Sequence, residues 1–382
     1  MKIGIFDPNL EPKGHYLKFN SHIIKLLEDG DNEIVFFDIC NIFKNNFKGN
    51  IKFVNVADKT IIDLFGKHGT PLKKWFVFFV KEFFWYRKVS KKIQKSKIDF
   101  LIITSEGYFF FYFFIPKIKF AVIFHRIESV LFFGKKYSIK YIVQSIRRKI
   151  ILRLLRRAQV VFVLTEHLKD KLKPFYFRCV EWIPYLCFEN FNNKMFCKKK
   201  MECFTISTPG SIYYGKNIDF ALETYKKYNL SFKYIIAGFP SAGYGKKIVE
   251  VVKSLPRNTP ITGIFKYLSD KEYKKIIQRS TFVLLPYSAE RTSGISAVML
   301  DAFENNTPII APDIEPFTYY ANKYKIGLLY NTESHVSLAK TIEMASRMTK
   351  KNFENNFLIF KKDFSYDEFG ARFKEIIFET TQ

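Results

Sequence analysis

The sequence predicts an α/β protein of two doubly wound halves, and three observations predict it. Short β-branched or aromatic runs alternate with helical stretches from end to end, as parallel strands joined by crossover helices require. The 382 residues, 48% of them hydrophobic, suffice for two packed cores and exclude a disordered or fibrous class. A composition break at Leu186–Glu202, where Asn192-Asn193-Lys194 and Lys198-Lys199-Lys200 interrupt the alternation, reads as a linker.

In the first half, Met1-Lys2-Ile3-Gly4-Ile5-Phe6-Asp7 opens as a buried strand, Lys2–Phe6, running into a loop. A helix follows Gly14, with Leu17, Ile24 and Leu27 among its apolar positions. Further strands are expected at Glu33–Phe37, Ile51–Val54, Phe100–Thr104, Phe120–Phe124 and Val160–Leu164. The second half restarts the rhythm with Phe204–Ser207, Lys233–Ala237, Ile261–Phe265, Phe282–Pro286, Thr307–Ala311 and Gly327–Tyr330. Helices lie between these, opened by cap or turn residues such as Asn217 and Ser269-Asp270. The expected domains are 1–186, 203–364 and a C-terminal helix, 365–382, that could pack back on the first domain. Such halves leave a central cleft, with ligands at the carboxyl ends of the strands.

Charge bounds the partners. Lys and Arg number 62 against 36 Asp and Glu, a net +26, which favours a polyanion, an anionic membrane or a phosphorylated substrate. Residues 1–185 carry 34 basic and 16 acidic side chains, against 28 and 20 in the remainder. Two segments concentrate the excess: Lys73–Lys97 has nine basic residues and one acid, and Lys135–Arg157 has nine and none. The first interleaves Trp75, Phe76, Phe78, Phe79, Phe83, Phe84 and Trp85 with its lysines. It reads either as a helix lying in a membrane interface or as an aromatic core helix with a solvated basic face. No zinc-finger, helix-turn-helix or RNP-type pattern accompanies the charge, so nucleic acid is not an expected partner. The longest apolar run, Tyr108 to Pro116, is far short of the ~20 residues that span a bilayer, and the start does not read as a signal peptide. Five cysteines without a CxxC spacing argue against a disulfide framework or a zinc site. The expected location is cytoplasmic, peripheral on the inner face of the cell membrane.

The chemically informative stretch is Val283 to Ala302, VLLPYSAERTSGISAVMLDA. A strand ends at Pro286, a small polar loop follows, and a helix is expected to begin near Ser293–Gly294. Backbone amides and the positive dipole end at such a start suit an anion. Positions 293, 297 and 301 then share one helical face over about 12 Å, the distance from a sugar-phosphate to the ribose hydroxyls of one nucleotide.

This stretch resembles the E-x7-E region of the retaining group 1 (family four) glycosyltransferases, which have the GT-B fold of two Rossmann-like domains. The resemblance extends over nearly the whole second half. Thr208-Pro209-Gly210-Ser211 through Gly215-Lys216-Asn217-Ile218-Asp219 is similar to the family's post-strand glycine and the basic residue before a helix. Tyr234-Ile235-Ile236-Ala237-Gly238, Tyr267 to Tyr273 and Thr307 to Ala311 follow in the family's order. In the first half, Pro12-Lys13-Gly14-His15, Arg157 to Leu172 and Ile183-Pro184 fit as well.

The resemblance implies a role for each matching residue. Lys216 neutralises the donor diphosphate and, with His125 near the transferred sugar, forms the expected catalytic pair. Gly14, His15, Gly210, Ser211, Lys216, Ser293, Gly294, Ile295 and Asp301 bind the donor, with Asp301 on the ribose hydroxyls. Lys216 could instead be an exposed helix-start lysine, Asp301 a plain helix acid, and His125 a structural histidine. Two positions depart from the pattern: Ser293 stands where the first acid is usual, and Ser211 where a basic residue is, with Glu290 or Arg291 as substitutes. No metal and no other cofactor is expected, the nucleotide sugar being a substrate.

Two motifs are decoys. Asp29-Gly30-Asp31 reads as a turn at a helix end, and Gly238–Lys246 lacks the lysine a P-loop needs after its second glycine. The expected function is transfer of a sugar to a glycan or lipid-linked glycan acceptor in surface polysaccharide biosynthesis. The alternative is a catalytically silent GT-B subunit that binds glycan or a partner enzyme.

Overall fold

The computed structural model describes residues 1–11, 15–27, 32–45, 47, 51–64, 71–107, 110–125, 139–175, 178–185, 203–288 and 295–380. Within these, the side chains at 15, 62, 71–76, 112, 139–144, 147, 154 and 173 lie outside the description. The chain divides into two compact units: Met1–Cys187 with Ser365–Gln382, and Phe188–Phe364. The expected linker falls wholly outside the described residues.

Unit 1 is built on β1 (Lys2–Phe6), β2 (Glu33–Ile39), β3 (Lys52–Ala57), β4 (Phe100–Ile103), β5 (Lys119–Phe124), β6 (Val160–Val163) and β7 (Val180–Trp182). They form one parallel sheet in the order β3-β2-β1-β4-β5-β6-β7. Every residue of β4 and β6 is buried, so their unbroken apolar runs match strands covered on both faces. The helices between them are α1 (His15–Leu27), α2 (Pro71–Lys95), α3 (Ile139–Leu155) and α4 (Glu166–Leu172).

Unit 2 repeats the plan with β8 (Thr205–Pro209), β9 (Lys233–Ala237), β10 (Ile261–Ile264), β11 (Phe282–Leu284), β12 (Ile309–Pro312) and β13 (Gly327–Tyr330). Their parallel order is β10-β9-β8-β11-β12-β13. Its helices are α5 (Ile218–Lys227), α6 (Tyr244–Ser254), α7 (Asp270–Arg279), α8 (Ala297–Glu304), α9 (Phe317–Tyr324), α10 (His335–Ser346) and α11 (Glu354–Asp363). The strand order reverses beside β1 and β4 in one unit and beside β8 and β11 in the other, the switch points at which doubly wound sheets bind ligands.

The last helix, α12 (Tyr366–Glu379), belongs to unit 1. Phe369 meets Trp182 at 5.0 Å and Phe373 meets Phe162 at 5.1 Å, while Arg372 donates to Glu181 at 2.7 Å. The twelve strands expected from the sequence are present with ends moved by a few residues. The edge strand β7 was not expected, because three residues with Glu181 in the middle carry too little periodicity to read.

Of the two roles open to Asn217, cap or turn, it takes the turn: a left-handed conformation (φ 51°) ends the preceding 3-10 turn, Tyr214–Lys216, with no side-chain bond to α5. The aromatics of α2 divide between core and surface. Phe78, Trp85 and Tyr86 are buried, and the Trp85 indole donates to the Lys59 carbonyl at 2.9 Å. Val80, Phe83 and Phe84 remain exposed, joined by Phe113 from the 3-10 turn Phe110–Phe113. Among the described residues, no helix is long and apolar enough to cross a membrane.

Candidate active site

Unit 2 gathers its candidate residues where β8 ends. Gly210 has φ +91°, a conformation that L side chains rarely adopt. The neighbouring strand ends on Gly238, where an added β-carbon would stand 2.0 Å from the Gly210 carbonyl oxygen. The two glycines therefore pack backbone on backbone. The loops beyond them stay paired, with the Ile212 amide donating to Phe239 and the Ser241 amide to Ile212, both at 2.9 Å.

This pairing folds the segment after β8 into a tight return that brings Lys216 back beside the strand end. Lys216 is only 3% exposed, and its ammonium donates to the Pro209 carbonyl at 2.5 Å. It is thus not the exposed helix-start lysine that its position allowed. A β-carbon on Gly210 would meet the Lys216 Nζ at 3.1 Å, Val298 at 3.5 Å and Tyr273 at 3.9 Å. The glycine thus lets the turn backbone lie close beside the Lys216 ammonium, where a β-carbon would crowd it. Ser211, next in line, is exposed.

Val298 lies in the first turn of α8, so this helix start approaches the same point. The helix begins at Ala297, not near Ser293–Gly294 as expected, because Ser296 is its N-cap and accepts from the Met299 amide at 3.3 Å. Ser296 is held in turn by the Tyr287 hydroxyl at 3.3 Å, and Tyr287 stacks on Phe317 at 5.6 Å. Ile295 is half-buried just before the cap. Ser293 and Gly294, with Glu290 and Arg291, lie outside the described residues.

Asp301 sits one turn into α8. Its Oδ2 accepts from the Tyr273 hydroxyl at 3.0 Å, and its carbonyl accepts from the Asn305 side chain at 2.7 Å. Tyr273 stands on α7, whose start is fixed by a reciprocal capping box between Ser269 and Glu272. Burial first, and then the Asp301 charge, push the Tyr273 phenol well above its ordinary value, so it stays protonated and donates.

Unit 1 collects polar groups at the carboxyl ends of β1, β4 and β5. His125 is buried; its amide donates to a Glu106 carboxylate oxygen at 2.9 Å and its Nε2 meets the Thr104 carbonyl at 2.8 Å. A carbonyl can only accept, so Nε2 carries the proton in that bond. Phe19, Tyr16 and Tyr185 surround the ring, with centroids at 4.6, 5.4 and 6.0 Å. Close by, the buried Asp7 carboxylate accepts from Asn20 at 2.6 Å, from the Asn9 amide at 2.9 Å and from Ser105. Burial raises its pKa against the pull of these donors. Thr104 donates to Asn20 at 2.6 Å and so links Asp7 to the strand that anchors His125. Gly14 is outside the described residues, and His15 opens α1 with its side chain outside the description.

The structure thus brings Gly210, Lys216 and Asp301 together through Tyr273. Sequence reasoning passed over Tyr273 and the network of Asp7, Asn20, Thr104, Ser105 and Glu106. The signal available was positional: Asp7 and Thr104-Ser105-Glu106 stand directly after buried apolar strands. Among the described residues, no group of three His, Cys, Asp or Glu is gathered as a metal site needs, and Cys40, Cys179 and Cys203 are free thiols. Asp29 and Asp31 lie outside the described residues.

Residues 193–356, most of unit 2, match the family described as glycosyl transferases group 1. Among curated proteins, none matches this sequence. Solved structures resemble the whole chain. The Anabaena HepE protein in complex with UDP has a TM-score of 0.71 at 13% identity, over 99% of this chain and 100% of that one. A trehalose-6-phosphate protein from E. coli bound with UDP-2-fluoro glucose gives 0.68 at 13%, over 100% and 99%. The sucrose-phosphate synthase of Thermosynechococcus elongatus gives 0.67 at 13%, over 99% and 98%. At such identities the likeness is one of fold, and it spans both units. The second unit thus matches the group 1 glycosyl transferases over residues 193–356, and the chain as a whole has the GT-B fold of the similar structures.

Proposed function

We propose that this protein transfers a sugar from a nucleotide sugar to a glycan or lipid-linked glycan acceptor in surface polysaccharide biosynthesis, with retention of anomeric configuration. The observation that carries the reading is the convergence of Gly210, Lys216, Val298 and the Tyr273–Asp301 pair beside the β8/β11 switch point. In this reading the diphosphate takes the positive charge of Lys216 beside the Gly210 turn, and the ribose hydroxyls donate to the Asp301 carboxylate. The bound UDP and UDP-2-fluoro glucose of the similar structures support a nucleoside diphosphate sugar as donor.

In this reading, negative charge grows on the diphosphate as its bond to the sugar breaks. Lys216, already desolvated and fixed by the Pro209 carbonyl, stabilises that charge without reorganising. The departing diphosphate takes the acceptor's proton while the new bond forms on the same face of the sugar. No resident metal is needed where a lysine does this work. His125, its ring orientation fixed by the Thr104 carbonyl, is the residue of unit 1 assigned to act by position.

The acceptor is assigned to unit 1 and to an anionic membrane surface at the cytoplasmic face. In support, the outward side of α2 joins apolar Val80, Phe83 and Phe84 to basic Lys81, Arg87, Lys88 and Lys91. Its one acid, Glu82, is buried and accepts from the Phe110 amide at 2.7 Å, so the helix does not neutralise its own basic face, although Asp58 pairs with Lys88 at 3.0 Å. A thermal-shift series with UDP, GDP, ADP and CMP sugars tests the core of the reading. One of them should raise the melting temperature of the wild type and do so less for Asp301→Ala. No shift with any of them overturns the reading and leaves a silent subunit.

A further inference from the structure

Tyr273 couples the two ends of the proposed donor site. Its ring carbon lies 3.9 Å from the point where a Gly210 β-carbon would stand, and the Lys216 ammonium is 3.1 Å from that same point. At that same end of the ring, the hydroxyl on the adjoining carbon donates to Asp301 Oδ2 at 3.0 Å. The hydroxyl-bearing edge of this side chain therefore stands between the strand-end turn and the carboxylate on α8. Its own placement is set from below, because the Tyr273 amide closes on the Ser269 carbonyl at 2.9 Å inside the capped first turn of α7.

The chemistry of this pair is directional. A phenol donor on one carboxylate oxygen fixes the rotation of the carboxylate plane, which a short Asp side chain would otherwise leave to two broad χ2 wells. A carboxylate held in one plane presents its acceptor lone pairs to vicinal hydroxyls in one direction. Phenylalanine at the same place would fill the same volume and remove that restraint.

We infer that Tyr273 is a positioning residue that orients Asp301 toward the ribose of the donor and so makes the site discriminate ribonucleotides from 2′-deoxyribonucleotides. The inference rests on the assignment of Asp301 to the ribose hydroxyls. Tyr273 itself need not touch the nucleotide. Its effect is read through Asp301, and the ribose 2′-hydroxyl reports it.

The test uses the full chain and calorimetric titration with UDP, GDP and ADP, taking the tightest binder and its 2′-deoxy form. The wild type should prefer the ribonucleotide by about tenfold, as for one hydrogen bond to a charged group. In Tyr273→Phe, ribonucleotide affinity should fall about 3- to 10-fold, deoxynucleotide affinity should hardly change, and the preference should shrink to about twofold. Each preference is measured within one protein preparation, so a fall in folded fraction does not alter it. Adding Tyr273→Phe to Asp301→Ala should cost nothing further. If Asp301→Ala weakens binding while Tyr273→Phe keeps both the affinity and the preference, the inference falls and the donor reading stands. If Asp301→Ala binds like the wild type, or no nucleotide binds, the donor reading falls and takes the inference with it.

Discussion

Replacing Lys216 by methionine separates its structural work from its proposed work on the donor. The stem of the side chain is conserved in volume, and only the ammonium is lost. That ammonium donates to the Pro209 carbonyl at 2.5 Å in a site 3% exposed. An unpaired buried carbonyl costs about 1–3 kcal/mol, offset in part by no longer burying a charge. For a unit spanning Phe188–Phe364 this corresponds to about 2–4 °C of melting temperature per kcal/mol. The ligand effect is larger. Losing a charge-assisted bond to diphosphate removes about 1.5–3 kcal/mol, or roughly 10- to 150-fold in affinity. At a nucleotide concentration of about 100 times the wild-type Kd, the wild type gains about 2.7 kcal/mol of stability. A variant weakened about 30-fold gains only about 0.9 kcal/mol at that concentration. Differential scanning fluorimetry with and without the nucleotide reads both effects. Lys216→Arg should not rescue binding, since a guanidinium does not fit the slot beside Gly210. An unchanged ligand-induced shift in Lys216→Met would refute the assignment, whatever happens to the apo protein.

Gly238→Ala should destabilise by more than about 2 kcal/mol in urea denaturation, because its β-carbon meets the Gly210 carbonyl oxygen at 2.0 Å and φ is +150°. Gly243→Ala, with φ +73° but open space around it, should cost only about 1 kcal/mol, and equal losses would contradict the packing argument. His22, buried against Tyr366 of α12, has its pKa pushed down to about 3 by burial, from 6.5. Its unfolded form takes up a proton first as pH falls, so its stability contribution is complete above about pH 6.5. Between pH 6.5 and 3 that contribution is lost at about 1.4 kcal/mol per pH unit, a slope that His22→Gln should remove from a pH series of urea midpoints. Phe83→Ser with Phe84→Ser should leave folding intact and abolish the salt-resistant part of binding to phosphatidylglycerol liposomes. The basic residues should then account for the rest, which collapses at 1 M salt as the Debye length falls to about 3 Å. A wild type that ignores such liposomes at low salt would end the membrane reading.

The sequence by itself determined the layered α/β plan, because parallel strands buried on both faces must be written as unbroken apolar runs, and β4 and β6 stand out as such. It also identified Gly210, Lys216 and Asp301 as residues of interest, through their order along the chain and not through any local chemistry. Only the tertiary structure decided where they come together. Lys216 is buried because Gly238 and Gly210 pack backbone to backbone and fold the following turn inward, a contact between residues 28 apart that no local pattern records. The start of α8 moved to Ala297 because Ser296 finds both the Met299 amide and the Tyr287 hydroxyl, whereas Ser293 offered the same cap chemistry to sequence alone. Tyr273 closes a stretch, Tyr267 to Tyr273, that the sequence placed only by its order along the chain, and its partner Asp301 comes 28 residues later on another element. The aromatics of α2 were legible as a stripe, yet which face is core followed from where β3 and the Phe110–Phe113 turn lie against it. Periodicity along one chain fixes which side chains share a face. What that face meets depends on segments distant in sequence, and a hydrogen bond or a buried charge exists only once those segments are packed.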